Sequence, residues 1–429
     1  MLDIKFIRDN KDIIKESAQK KRLSVDIDRL IEIDEKRREL IAKTEDLRNK
    51  QNQANEAIAG AMQDAERRQN LITEMQTLKK DLQAGEVELK EVMQEWQSLM
   101  LAVPNIPDVS VPEGENEDGN QEVKRWGDIP KFGPPTGGAG FEPKDHIELL
   151  TGNNMLDLER GTKVHGFRGY FLKGGGAELS WAIWNYARKF FAGEGIEEII
   201  APTIVKKEYF YGTGHLPSEA EDLFETQDKD YLSGTAEVPM MAYYSGEILK
   251  KSDLPKKFLA FSPCYRREAG SHGKDTKGIF RVHEFYKLEQ LILCEASHGE
   301  SDRLHEEITR KTEVFFESLG LPYRRLVVCT GDLSASKVKQ YEIELWIPSQ
   351  GKYREIGSAS YYHDFQARRF NIRYDDGGVK RYVHSLNNTA VPTPRALIAL
   401  VENFQQADGK IKIPEVLRPY LGDREYLGG

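Results

Sequence analysis

The 429-residue sequence lacks the features that mark several classes of protein. Its longest apolar run has six residues, 396–401, whereas a membrane-spanning helix needs about 20, so we predict no membrane segment. Three cysteines, Cys264, Cys294 and Cys329, are too few and too dispersed for a disulfide framework or a cysteine-rich zinc site. The charged start, MLDIKFIRDNKD, has no export signal. We therefore expect a cytoplasmic protein in a reducing setting.

An excess of positive charge is also missing. The sequence has 61 basic and 70 acidic residues, a net charge of −9, which excludes a uniformly basic nucleic-acid binder. Any nucleic-acid contact must therefore come from a local patch.

Helix-breaking residues are scarce in the first quarter of the chain. No proline precedes Pro104, and residues 1–103 contain only two glycines, Gly60 and Gly85, so this segment is predicted to be almost wholly helical. Apolar residues recur at alternating steps of four and three over 71–103, and a weaker seam of the same kind covers 33–58. We therefore predict an antiparallel α-helical coiled-coil hairpin as an N-terminal domain, residues 1–103.

The periodicity of this hairpin alone favours a dimerisation coiled coil. The alternative is a projecting arm that contacts a large partner. Residues 31–100 carry 11 basic and 15 acidic side chains, which does not indicate nucleic-acid binding. If the arm binds RNA, a few basic residues must face it, and the candidates are Lys36, Arg37, Lys43, Arg48, Lys50, Lys79 and Lys80.

The rest of the chain divides into a connector and a body. Seven prolines and seven glycines lie in residues 104–143, so we expect 104–144 to be a connector without regular elements. The body, 145–429, contains consecutive strand-like runs at 323–330, 341–348 and 352–360, joined by short turns. This order predicts an α+β fold with an antiparallel sheet.

Three stretches of the body combine arginines, carboxylates and small polar residues: 261–290, 354–369 and 387–405. A single Arg–Glu pair is usually a surface ion pair of little energy. However, Arg266 stands between two predicted strands and Arg395 at the start of an apolar helix, where the guanidinium fork suits a triphosphate. The segment GSHGKD (270–275) fails the phosphate-loop pattern at two positions, and the nine histidines form no zinc-ligand pattern.

These stretches resemble the signature motifs of class II aminoacyl-tRNA synthetases, and in detail those of the bacterial-type seryl-tRNA synthetase family. GIEEIIAPTIV (195–205) is similar to motif 1, CYRREAG with FRVHEFYKLEQ to motif 2, and the Arg395 helix to motif 3. TAEVPM, GTGHLP, YEIELWIP, DFQARR and VENFQQADG match the same family. The order and spacing of these motifs cover essentially the whole chain.

The resemblance implies a homodimer with an antiparallel catalytic sheet of roughly six or seven strands. It further implies that the hairpin grips the long variable arm of tRNA(Ser). The implied reaction joins L-serine to ATP as seryl-adenylate and then transfers serine to the 3′ end of tRNA(Ser). Mg²⁺ would accompany ATP, with no zinc, and a tRNA(Sec) is left open as a second substrate.

The resemblance also carries residue roles, position by position. The implied catalytic residues are Arg266, Glu355 and Arg395. The implied ATP-binding residues are Arg266, Arg267, Glu268, Val282, Phe285, Glu355, Ile356, Gly357, Ser358 and Arg395. The implied serine-binding residues are Thr235, Ala236, Glu237, Arg266, Glu289 and Thr389. Glu355 and Ser358 are the implied Mg²⁺ ligands.

Two places depart from the common pattern of the family. After Glu355, Ile-Gly-Ser-Ala-Ser-Tyr stands for Ile-Ser-Ser-Cys-Ser-Asn, so Gly357 and Tyr361 are expected to change the lining of the site. Before Arg395, Asn388-Thr389-Ala390 replaces the frequent Gly-Ser-Gly. Thr389 keeps a hydroxyl and adds a methyl group that tightens the pocket.

Other functional classes have distinct signatures. A non-catalytic, synthetase-like RNA-binding protein would lose the implied catalytic residues, which are all present. An amino acid ligase acting on a carrier protein would lack the hairpin and carry zinc ligands. A purely structural coiled-coil dimer would leave the body, 145–429, unexplained.

Overall fold

The structure, a computed structural model, describes residues 1–61, 63–132, 140–270, 273 and 275–428. It divides into two compact units, Met1–Pro104 and Asn105–Gly429. Parts of the predicted connector (133–139) and of the segment GSHGKD (271, 272 and 274) lie outside the described residues.

The α-helices of the described chain are α1 (Ile4–Asp9), α2 (Lys11–Lys20), α3 (Ile27–Gly60), α4 (Ala65–Ala102), α5 (His146–Gly152), α6 (Leu158–His165), α7 (Gly175–Phe191), α8 (Lys207–Thr213), α9 (Glu237–Ala242), α10 (His298–Ser318), α11 (Phe365–Phe370) and α12 (Arg395–Asn403). None of these helices is both long and apolar enough to cross a membrane.

The strands are β1 (Gln121–Trp126), β2 (Leu156–Asp157), β3 (Phe171–Leu172), β4 (Ile196–Ile200), β5 (Ile204–Val205), β6 (Phe224–Glu225), β7 (Tyr231–Leu232), β8 (Ile248–Lys250), β9 (Lys256–Tyr265), β10 (Glu284–Cys294), β11 (Tyr323–Val327), β12 (Lys339–Ile347), β13 (Lys352–Tyr361), β14 (Arg373–Asp376), β15 (Val379–Tyr382), β16 (His384–Thr393), β17 (Ile411–Lys412) and β18 (Tyr426–Leu427).

The first unit is built on the antiparallel hairpin of α3 and α4, which confirms the predicted coiled-coil arm. Ile33 and Leu40 of α3 pack with Val92 of α4 in a buried cluster, as the two heptad seams require. Gly85 lies at a close approach of the helices, because a Cβ atom there would be 3.1 Å from the Thr44 methyl carbon. The apolar seams therefore fix the pairing of the two helices.

Most of the basic residues proposed to face RNA are engaged within the arm. Their carboxylate partners are Glu88 for Lys36, Asp34 for Arg37, Glu86 for Arg48 and Asp46 for Lys50. The Arg37 side chain is only 19% exposed and lies over the Trp96 ring, 4.7 Å from its centroid. Lys43, Lys79 and Lys80 are exposed. These three lysines are therefore better placed than Arg37 to meet a partner.

The second unit is organised around an eight-stranded sheet with the order β1-β11-β12-β13-β16-β10-β9-β4. All neighbouring strands in this sheet are antiparallel except β4 and β9, which are parallel. This arrangement confirms the predicted antiparallel α+β architecture. The sheet has eight strands where the family resemblance implied six or seven.

The prediction that residues 104–144 contain no regular element is wrong, because β1 lies inside this segment. β1 pairs with β11 at the edge of the sheet, from Gln121 opposite Val327 to Trp126 opposite Tyr323. The prolines and glycines of the segment flank these six residues, which contain neither type. The local sequence of residues 121–126 therefore permits a strand, although the average composition of residues 104–144 does not indicate one.

Helices α7 and α12 cover the sheet and form its main core. Leu179 and Ile183 of α7 are fully buried together with Leu397 of α12 and Leu288 of β10. Tyr186 and Phe190 of α7 pack against the same cluster, so residues 179, 183, 186 and 190 form one apolar face of this helix. This packing anchors the strand ends that carry the candidate site.

Candidate active site

The three motif-bearing stretches meet at one cleft of the second unit, with a volume of about 330 Å³. All of the site residues expected from the sequence line this cleft except Ala236 and Arg267. Ala236 is fully buried beneath the start of α9, and Arg267 is exposed, with its backbone N–H donating to the Asp222 carbonyl at 2.8 Å. The cleft therefore gathers side chains from four neighbouring strands, β10, β12, β13 and β16, and from the three helices α8, α9 and α12.

Strand β10 supplies three side chains to the cleft at alternate positions, Phe285, Lys287 and Glu289. This spacing follows from the two-residue period of a strand. The Glu289 carboxylate accepts a hydrogen bond from the Thr235 hydroxyl at 2.6 Å and lies 3.0 Å from the Lys287 ammonium group. Lys287 also donates to the Thr235 hydroxyl at 2.9 Å. The three groups form a closed, buried network.

Glu237 opens helix α9 beside that network and is 7% exposed. Its carboxylate accepts from the Gln366 side-chain amide at 2.6 Å, and Gln366 in turn accepts from the Ser385 hydroxyl at 2.7 Å. Burial raises the pKa of Tyr362 well above its ordinary value, and the nearby Glu237 charge adds to this effect. Tyr362 is therefore a neutral hydroxyl in the wall of the cleft.

Arg266 and Phe285 form the neighbouring part of the cleft. The Arg266 guanidinium carbon lies 5.4 Å from the centroid of the Phe285 ring, and its backbone N–H donates to the His283 carbonyl at 3.0 Å. Arg266 is exposed to solvent. A flat aromatic ring next to an exposed cation offers stacking and charge to the same ligand.

Arg395 is the first residue of α12 and lies in the cleft beside Glu355 of β13. It donates to the Glu355 carbonyl at 3.0 Å and to its carboxylate at 3.5 Å, and its guanidinium carbon is 4.9 Å from the Phe280 ring centroid. Burial lowers the pKa of Arg395, while the Glu355 carboxylate opposes this effect. An arginine remains charged even so, and a partly buried cation of this kind favours an anionic ligand.

A chain of ion pairs closes the same end of the cleft. Arg281 binds the carboxylates of Glu268 and Asp275, each at 3.2 Å, and Arg354 binds Asp275 at 2.6 Å. Burial acts to raise the pKa of Asp275, but hydrogen bonds from Arg354 and Arg281 bring it below its ordinary value. The arginines are thereby held in place by an ionised carboxylate.

Strand irregularities bring consecutive residues to the cleft. In β13 a β-bulge leaves Ile356 without a partner on β12, and all four residues 355–358 border the cleft. In β16 a second bulge at Ala390 separates Thr389 from Val391 in their pairing with β10. Bulges re-aim side chains in this way at functional sites.

The two departures from the family pattern prove to be in contact. A Cβ atom on Gly357 would lie 2.8 Å from the Cβ atom of Thr389 and 3.0 Å from its methyl carbon. The larger residue at 389 is therefore accommodated by the missing side chain at 357. The expectation for Tyr361 is wrong, because this buried residue is not among those that line the cleft, and its hydroxyl donates to the Asp108 carboxylate at 2.9 Å.

Sequence reasoning missed several polar residues of the cleft and its support: Lys287, Tyr362, Gln366 and Arg281. Lys287 could have been found, because it stands midway between Phe285 and Glu289 on a strand of period two. Gln366 lies in the DFQARR segment, which was noted only as a family match. The roles of Arg281 and Tyr362 depend on contacts between distant segments, for which the sequence carries no local signal.

Within the described residues, no group of three or more histidine, cysteine, aspartate or glutamate side chains is placed to hold a metal ion. Oxygen donors from Glu355 and Ser358 do border the cleft.

Comparison with known proteins shows the family. Residues 1–107 match the seryl-tRNA synthetase N-terminal domain, and residues 222–404 match the class II tRNA synthetase core domain (G, H, P, S and T). A serine–tRNA ligase of Deinococcus radiodurans is 42% identical over 100% of this chain and 99% of its own length. A serine–tRNA ligase of Bacillus pumilus is 41% identical over the full length of both chains.

Solved structures agree with these sequence matches. Seryl-tRNA synthetase from Pyrococcus horikoshii, complexed with ATP, superposes with a TM-score of 0.87 at 33% identity, covering 100% of this chain and 99% of the other. The cytoplasmic serine–tRNA ligase from Naegleria fowleri, in complex with AMP, gives a TM-score of 0.85 at 32% identity, with the same coverage. The chain therefore belongs to the seryl-tRNA synthetase family and is an aminoacyl-tRNA ligase that joins serine to tRNA.

Proposed function

We propose that the cleft is the place where this enzyme activates serine with ATP. The observation that carries this proposal is the convergence of Arg266, Glu355 and Arg395, which are far apart in sequence, on one cleft. ATP would lie along Phe285, Arg266 and Arg395, and serine would lie next to Glu237 and Glu289. Two structural relatives, complexed with ATP and with AMP, support a nucleotide as a ligand of this fold.

In the proposed reaction the serine carboxylate attacks the α-phosphorus of ATP. A carboxylate oxygen–phosphorus bond forms, the bond to the β-phosphate oxygen breaks, and pyrophosphate leaves. Because the substrate supplies the nucleophile, the protein needs to align the reactants and disperse charge. We assign the α-phosphate to Arg266 and the γ-phosphate to Arg395. Glu268 and Val282 would border the adenine ring stacked on Phe285.

The donor set at Glu355 and Ser358 suits Mg²⁺. This ion prefers oxygen ligands and is usually held by one or two protein groups together with substrate phosphates. The Glu355 side chain is 44% exposed, so its carboxylate can reach a ligand in the cleft. When bound, Mg²⁺ would offset the charge of the triphosphate.

Selectivity for serine over alanine would come from the buried polar groups. A pocket that hydrogen-bonds a hydroxyl can reject the analogue that lacks it by roughly 10⁴–10⁵. Glu289 and Thr389 supply such groups in the cleft, and the Thr235 hydroxyl supports Glu289. The Thr389 methyl group, packed over Gly357, would limit the space for the larger side chain of threonine.

We further propose that residues 1–103 bind tRNA(Ser), that 104–144 connect the domains and that 145–429 catalyse the reaction. The hairpin offers Lys43, Lys79 and Lys80 as exposed cations. Lysine contacts to phosphates need no overall positive charge, only a local cluster. Whether tRNA(Sec) is a second substrate can be tested by measuring how much serine the enzyme attaches to it.

We also propose a homodimer formed through the motif 1 segment. Trp181 of α7 and Ile200 of the edge strand β4 are 66% and 83% exposed. Exposed aromatic and aliphatic side chains grouped at an unpaired sheet edge are typical of an interface. A second copy would cover them.

The first prediction concerns the nucleotide. Arg395→Ala should reduce serine-dependent ATP–pyrophosphate exchange by about 10²–10³-fold, the usual cost of removing one preorganised charge donor. Exchange is measured with serine, threonine and alanine. Arg303→Ala, which removes an arginine from surface ion pairs on α10, is the matched control. Near-normal exchange by Arg395→Ala would exclude the γ-phosphate role.

The second prediction concerns the serine pocket. Gly357→Ala should lower thermal stability and raise the KM for serine, because overpacking costs about 1–3 kcal/mol. The double variant Gly357→Ala with Thr389→Gly should regain much of the melting temperature, because it removes the two Thr389 side-chain atoms that lie 2.8 and 3.0 Å from the new methyl group. Strictly additive losses in the double-mutant cycle would show that the two sites are independent.

The third prediction concerns the arm. Substitution of Lys43, Lys79 and Lys80 by glutamate should lower the rate of tRNA charging and make this rate less sensitive to salt. The rate of ATP–pyrophosphate exchange should stay unchanged. A control variant reverses the exposed lysines Lys250, Lys380 and Lys412 of the second unit. Equal tRNA charging by both variants would argue against a tRNA-binding arm.

The fourth prediction concerns the dimer. Trp181→Glu with Ile200→Glu should yield monomers in sedimentation, because two charges would be buried without partners at the interface. Val379→Glu, at a position 58% exposed elsewhere on the second unit, should leave the assembly unchanged. A dimeric double variant would place the interface elsewhere.

A further inference from the structure

The buried lysine of strand β10 has no place in the roles described so far. Lys287 is 6% exposed and its ammonium group lies between the Thr235 hydroxyl, at 2.9 Å, and the Glu289 carboxylate, at 3.0 Å. Burying a charged lysine is costly unless it is paired. Its position against two groups of the serine pocket therefore calls for a functional reason.

The Thr235 hydroxyl is fully used by this network. Its proton goes to Glu289, at 2.6 Å, and its oxygen accepts from Lys287 and from the backbone N–H of Glu237, at 3.3 Å. A hydroxyl has one proton and two lone pairs. Thr235 consequently holds its neighbours in position. Within the described chain, the Glu289 carboxylate makes both of its polar contacts through Oε2.

The second carboxylate of the pocket is treated differently. Glu237 accepts from the neutral amide of Gln366 at 2.6 Å and lies beside the neutral hydroxyl of Tyr362. In the described part of the chain it makes no ion pair with a cation. Its negative charge is therefore solvated by dipoles alone, whereas that of Glu289 is neutralised by an ammonium group.

We propose that Lys287 is a positioning residue that neutralises Glu289, so that Glu289 accepts the hydroxyl group of serine while Glu237 receives its ammonium group. A carboxylate already paired with a cation gains little from a second cation but still accepts a neutral donor through its other oxygen. The uncompensated Glu237 attracts the charged amine. Lys287 thereby makes the pocket select a side-chain hydroxyl.

This inference rests on the proposed serine site and predicts a change of preference when the ammonium group is removed. In Lys287→Met, the unpaired Glu289 should favour a ligand with a second amine in place of the hydroxyl. The probe is L-2,3-diaminopropionate, used as a competitor of serine in ATP–pyrophosphate exchange at mildly acid pH, where both of its amines carry a proton. Inhibition relative to serine binding should improve by about tenfold or more, the scale of a hydrogen bond to a charged group.

The KM for serine in Lys287→Met should rise, because Glu289 loses the ammonium group that holds its carboxylate in position. The KM for ATP should change little, which also reports that the cleft is folded. Lys257→Met on the neighbouring strand β9, whose ammonium group pairs with Glu307 on α10, is the matched control.

Two results would overturn the inference: equal weakening of serine and diaminopropionate in Lys287→Met, or wild-type values for both. If the methionine variant does not fold, Lys287→Gln tests the same charge with a polar side chain. Glu289→Gln separates the inference from the proposed site. An unchanged KM for serine in that variant would reject the site itself, whereas a raised KM with no shift in preference in Lys287→Met would reject only the role of the lysine.

Discussion

The cleft depends on one constraint, which is that Arg395 and Arg281 are held in position by the protein's own carboxylates. Arg395 is fixed by the carbonyl and carboxylate of Glu355, and Arg281 is fixed by Asp275 and Glu268. Long side chains lose considerable entropy when they are ordered. Because this entropy is already lost when the protein folds, the arginines can bind a polyphosphate without further reorganisation.

The sheet holds the residues that make these contacts, and its β-bulges bring additional residues to the cleft. Strands β10, β13 and β16 are central in the sheet order, and β13 pairs with β16 only over residues 359–361. The bulges at Ile356 and Ala390 interrupt the pairing of β13 with β12 and of β16 with β10 where these strands border the cleft. A regular strand would present every second residue, whereas the bulged β13 presents four in succession.

Local patterns in the sequence predicted the parts of the fold that depend on local periodicity. The heptad seams predicted the α3–α4 hairpin, and the alternating runs predicted an antiparallel sheet. Composition failed where an average hid a short strand, as at Gln121–Trp126. The contact of Gly357 with Thr389 was inaccessible, since each residue was recognised as a departure but only the folded chain shows that one accommodates the other. The assigned roles of the cleft residues came from resemblance and stay proposals.

Two carboxylates of the pocket, Glu237 and Glu289, carry the same charge but have different partners. Glu237 and Glu289 are both nearly buried, so the difference lies in their partners: neutral dipoles for one, an ammonium group for the other. In a medium of low dielectric constant, such partners decide whether a carboxylate attracts a cation or a neutral donor. A small polar substrate with one amine and one hydroxyl can be oriented by this asymmetry alone. The shape of the pocket then has only to limit size, which the contact of Thr389 with Gly357 can supply.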